Sequence, residues 1–81
     1  MTYFNIVSTD LRENETLTDN YTTFKEANQI FQDEIKLWKS VAKRGMCTLV
    51  ELTPTQFALY NESGELFYTC QIIAEPDNKF E

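Results

Sequence analysis

The chain has 81 residues, 42% of them hydrophobic and 14% aromatic, with a formal charge of −6 and no histidine. That length accommodates one domain, near the lower size at which a core holds without staples, and the aromatic content excludes a disordered chain. Missing histidine removes the usual general base near neutral pH and the commonest metal ligand.

The strand signals begin almost at the first residue. Thr2 to Thr9 alternates, with Phe4 and Ile6 on one face and Tyr3, Asn5 and Val7 on the other. A structureless connection from Asp10 to Tyr21 is improbable in so small a domain. The preferred reading is a hairpin in which Tyr3–Thr9 pairs with Glu15–Thr18 around Arg12-Glu13-Asn14.

Thr23 to Arg44 is the one stretch with sustained helical periodicity. Thr23 suits the N-cap, Glu26 completes a capping box by reaching back to the Thr23 N–H, and Gly45 ends the helix after Lys43 and Arg44. At about 100° per residue, Phe24, Ala27, Ile30, Phe31, Ile35, Leu37, Trp38, Val41 and Ala42 form one broad apolar arc. Glu34 projects from the middle of it. A carboxylate in that position is expected to accept a hydrogen bond from a tyrosine or a backbone N–H, because burying it unpaired costs several kcal/mol.

Met46 to Thr53 reads as the next strand, Gln56 to Asn61 as another after the Pro54 turn, and Glu65 to Glu75 as the last after Asn61-Glu62-Ser63-Gly64. Leu66, Tyr68, Cys70 and Ile72 are expected to face the helix, and Phe67 and Ile73 to face away. Residues 76–81 read as a frayed tail of a single domain spanning 1–81. The fold class is α+β: an antiparallel sheet of four to five strands, in the order β-(β)-α-β-β-β, with one amphipathic helix on one face. Cys47 and Cys70 fall on strands separated by another, so a disulfide is not expected.

No catalytic, cofactor-binding or metal-binding residues emerge. Two glycines in all cannot build a phosphate-cradling loop, and no paired carboxylates or activated nucleophile stand at a recognisable spacing. The chain reads as a non-enzyme. Without a bilayer-spanning run or a signal peptide it also reads as cytoplasmic, with no membrane partner.

Charge carries what function there is to read. The helix holds five basic residues against Glu26, Asp33 and Glu34, while the rest holds ten acids against Arg12 and Lys79. Direct nucleic-acid binding is disfavoured, since phosphate contacts dominate such affinity. An acidic surface suits the basic groove of a nucleic-acid-binding protein instead. The expected partner-binding residues are Asp10, Glu13, Glu15 and Asp19 in the first loop, Glu62 and Glu65 at the last hairpin, and Tyr60 and Phe67 on the uncovered sheet face. That face carries a surplus of aromatic and branched residues, making it the expected adhesive surface.

Three features also carry a resemblance: the opening strand Met1-Thr2-Tyr3-Phe4-Asn5-Ile6, the helix start Thr23-Phe24-Lys25-Glu26-Ala27, and the closing meander through Glu62-Ser63-Gly64-Glu65. In layout the chain resembles the small acidic accessory proteins of bacteriophages and other mobile elements, anti-CRISPR inhibitors among them. The resemblance implies a stoichiometric binder that blocks a host nucleoprotein or defence complex. Such proteins share no common site, so no residue role is carried over. Alternative readings are a homodimer that pairs its open sheet faces around a small molecule such as a signalling nucleotide, and a structural subunit of a larger assembly.

Overall fold

The computed structural model describes residues 2–76. The elements run β1 (Thr2–Asp10), β2 (Glu15–Tyr21), α1 (Phe24–Lys43), β3 (Thr48–Thr53), β4 (Gln56–Tyr60) and β5 (Leu66–Pro76). They build an α+β fold: one five-stranded sheet in the order β2-β1-β5-β4-β3, with the helix packed on one face. Every pairing is antiparallel. Pro76 closes the last strand rather than opening a tail, and residues 77–81 lie outside the described range.

The helix starts and stops where its caps require. The Thr23 hydroxyl accepts from the Glu26 N–H at 3.2 Å and donates to the Glu26 carboxylate at 2.9 Å. The carboxylate thus reaches the Thr23 hydroxyl rather than its backbone N–H, and it accepts from Thr22 as well. Gly45, at φ +77°, supplies the left-handed step after the last turn.

The core lies between the helix and the middle of the sheet. Ala27, Phe31 and Ile35 are buried against Ile6, Phe57, Leu59 and Cys70. Phe31 and Phe57 meet with ring centroids 5.5 Å apart. Two-residue alternation explains most of this face, since register sets Ile6 beside Ile72, and Phe57 beside Cys70. Both cysteines are free; Cys47 is buried just ahead of β3 rather than within it.

Alternation fails at two places, between Glu51 and Thr53 on β3 and, with more consequence, on β5. The β4–β5 register shifts between Leu59 and Tyr60, so that Leu59 opposes Tyr68 while Tyr60 opposes Leu66. Phe67 is the extra residue of a bulge, which re-aims side chains. It is 7% exposed and packs against Trp38 at 6.4 Å, within the helix-side core. The expectation that Phe67 stands on the open face and Leu66 on the covered one is therefore reversed.

The open face exchanges Phe67 for Leu66 as a result. Register places Asn5, Thr9, Thr16, Thr18, Asn20, Thr48, Gln56, Thr69 and Gln71 there, among Tyr3, Val7, Val50, Tyr60, Leu66 and Ile73. Threonine and amide side chains thus alternate with the expected Tyr3, Val7, Tyr60 and Ile73, and Glu75 is the one charge of this face among the described residues. Val50, Leu66 and Ile73 are exposed there, and apolar exposure is not confined to this face. Leu17, Ile30 and Leu37 are exposed, at 60%, 42% and 58%. Ile30 and Leu37 belong to the apolar arc but sit roughly 100° round from Phe31, beyond what one helix can press against a sheet.

Candidate functional site

Two hairpins meet at one end of the sheet. The β1–β2 turn is built by Asp10, whose Oδ1 accepts from the Arg12 N–H at 2.9 Å and the Glu13 N–H at 3.4 Å. Asn14 closes it at φ +53°, a conformation asparagine tolerates. The β4–β5 turn uses Asn61 in the same way, its Oδ1 accepting from Ser63 and Glu65 at 2.9 Å each. Gly64, at φ +81°, completes it. Because β1 lies beside β5, the Leu11 N–H reaches the Phe67 carbonyl at 2.9 Å and ties the two ends together.

Neighbouring strands are about 4.8 Å apart, so the hairpin tips stand roughly 10 Å from one another. Asp10, Glu13, Glu15, Glu62, Glu65 and Tyr60 therefore share one end of the sheet. Asp19 does not. The segment expected as a loop is strand, and Asp19 lies opposite Ile6 in the middle of β2. Phe67 supports the end from inside: the Arg12 guanidinium lies 4.5 Å over its ring and pairs with Asp10 at 3.3 Å. That pairing, with the backbone donors of the turn, holds the Asp10 carboxyl below its usual range. Asp10 is engaged within its own turn, whereas Glu13, Glu15, Glu62 and Glu65 make no ion pair among the described residues.

Gathering acids in this way is cheap. Two charges 10 Å apart in water repel by about 0.4 kcal/mol before salt screening, which acts over about 8 Å at physiological ionic strength. A basic surface docking across both tips meets their summed field. The helix C-terminus brings Lys43 and Arg44 to this end in the other layer.

Glu34 has the partners expected of a structural carboxylate. It accepts from the Tyr68 hydroxyl at 3.0 Å and the Trp38 indole N–H at 3.3 Å. Burial pushes the Tyr68 hydroxyl up to about 12, with a Ser8 hydrogen bond opposing the rise and the Glu34 charge adding to it. Cys70 is raised by burial to about 11, and Ser8 donates to its sulfur at 3.6 Å. Both groups are thus neutral near pH 7, which suits packing rather than nucleophilic chemistry. No cluster of three or more His, Cys, Asp or Glu able to hold a metal occurs among the described residues. No helix there is long and apolar enough to cross a membrane.

Sequence reasoning missed the flank where the helix meets β2. Tyr21, Lys25, Glu26, Gln29 and Ile30 line a shallow depression of about 360 Å³ on that side. A signal was present. Ile30 and Leu37, seven residues apart, form a stripe at the rim of the apolar arc, too far round to be covered by the sheet they share with Phe31. Comparison with protein-family models, curated proteins and solved structures returns no significant match to this chain.

Proposed function

We propose that this protein is a non-enzymatic binding module: a small acidic inhibitor that occupies the basic, nucleic-acid-binding surface of a host protein or defence complex. The layout's resemblance to anti-CRISPR inhibitors implies a stoichiometric binder of that kind. The observation that carries the reading is the convergence of two rigid hairpins, which sets Glu13, Glu15, Glu62 and Glu65 along one end of the sheet. Carboxylates carried on adjacent strand tips repeat, at coarse spacing, the negative charge that a nucleic acid presents to such a groove. Tyr60 adds an aromatic contact at the same end, where tyrosine beside charge is a common interface composition.

The test starts from a partner captured from a host lysate and purified. The chain and a nucleic acid should then compete for it, and Glu13→Lys/Glu62→Lys/Glu65→Lys should slow association at least tenfold at low salt and flatten its salt dependence. A captured partner that binds nucleic acid and this chain together, or binds the triple variant unchanged, sinks the reading.

A further inference from the structure

We infer that β2 is a docking edge for an extended basic segment of the partner, which adds to the sheet as a sixth strand. This rests on the reading that the partner is a basic protein, and it adds where and how that protein is gripped. β2 is the outer strand on its side of the sheet, and its seven residues keep an unbroken register with β1. In an antiparallel ladder roughly half of an edge strand's N–H and C=O groups point outward, unpaired. Edges are commonly protected by a proline, a bulge or charged side chains, lysine above all; Glu15-Thr16-Leu17-Thr18-Asp19-Asn20-Tyr21 has no proline, bulge or lysine, and its two charges, Glu15 and Asp19, repel acidic strands but not basic ones.

What it has instead selects the occupant. Pairing with Ile6 and Ser8 puts Asp19 and Leu17 on the helix-side row of β2, and Glu15 and Tyr21 continue that row. The row reads acid, leucine, acid, tyrosine, and all but Tyr21 are exposed. Ile30 and the depression beside Tyr21 flank its far end on the helix. An incoming strand gains backbone hydrogen bonds along the edge. Cations on the same face of the incoming strand oppose Glu15 and Asp19, and an apolar side chain between them meets the exposed Leu17. A second copy of this chain is disfavoured, because each copy would bring further carboxylates to the seam.

The probe is a capped seven-residue peptide, TKTLTKT, compared with TETLTET and with two forms of TKTLTKT N-methylated at alternate backbone nitrogens, one in each phase. N-methylation keeps the charge and side chains but removes the donors facing the edge. Strand addition requires that TKTLTKT binds, that TETLTET does not, and that one methylated phase loses binding while the other keeps it. Asp19→Lys should weaken TKTLTKT about fivefold, from one cross-strand pair turned repulsive, while Glu62→Lys/Glu65→Lys, at the tips, leaves it unchanged.

If both methylated peptides bind like the parent, or the tip variant alone loses the probe, strand addition is wrong while the acidic-end reading survives. Failure of TKTLTKT to bind folded protein that still competes with nucleic acid for its partner has the same meaning. A dimer in sedimentation that is dissociated by Asp19→Lys would show β2 already covered by a second copy, and would also overturn it.

Discussion

The two outer strands, β2 and β3, are almost equally exposed to solvent but differently equipped. β3 carries a register shift between Glu51 and Thr53, and Lys39 leans from the helix to Glu51 at 3.8 Å. A bulge and an overhanging lysine are ordinary ways of refusing another strand. β2 keeps an unbroken register, bears Glu15 and Asp19, and has the exposed Ile30 of the helix beside its Tyr21 end. The difference teaches that exposure alone does not identify a docking edge: regular register, the sign of the charge and adjacent apolar surface together do.

That contrast supposes one shared core behind both edges, and the largest expected effect tests it. Phe31 is fully buried against Phe57, so Phe31→Ala should cost about 3–5 kcal/mol. That is comparable to the whole stability of a domain this small. Melts followed by probes in β2 and in β3 should coincide; separate transitions would mean that the edges do not share a core.

High pH should loosen the sheet as a unit. The folded state holds the Cys70 thiol at about 11 against an ordinary 9.0, and Tyr68 at about 12 against 10.0. Raised values favour the protonated forms in the folded protein. Their contribution is complete below pH 9 and is lost as pH rises through 11 to 12. Urea midpoints measured from pH 8 to 12 should fall across that window, and Tyr68→Phe should shrink the fall above pH 10. A flat profile would show that neither group is held neutral by burial.

Thr23→Ala, which removes the cap where the chain leaves β2 for the helix, should cost about 1 kcal/mol in denaturant melts. The smallest effect belongs to Lys39→Ala. The Lys39–Glu51 pair is exposed on both sides, so stability should move by less than about 0.5 kcal/mol. A larger loss would mean that the lysine holds β3 in place rather than shielding its edge.

Much of the fold was legible because its signals are local. Thr23, Glu26 and Gly45 marked the helix, and alternation placed Phe4, Ile6, Phe57, Leu59, Cys70 and Ile72 on the covered face. Leu66-Phe67-Tyr68 was misread, although three large apolar residues in a row cannot obey alternation and are a reason to suspect a bulge. The error mattered, because it hid Phe67 as the core residue beneath Arg12 and put Leu66, not Phe67, on the open face. The acidic residues were legible as types but not as a constellation. Asp10, Glu62 and Glu65 meet only because β5 inserts beside β1, a non-local pairing that no short stretch encodes. Asp19 was grouped with them by chain proximity and parted from them by strand geometry.

The contrast between the edges is tested most directly by residue-resolved amide hydrogen exchange, in the presence and absence of TKTLTKT. The expected result is slowed exchange at alternate residues of Glu15–Tyr21, with Thr48–Thr53 unchanged. Protection along β3, or shifts confined to the hairpin tips without slowing in β2, would contradict it.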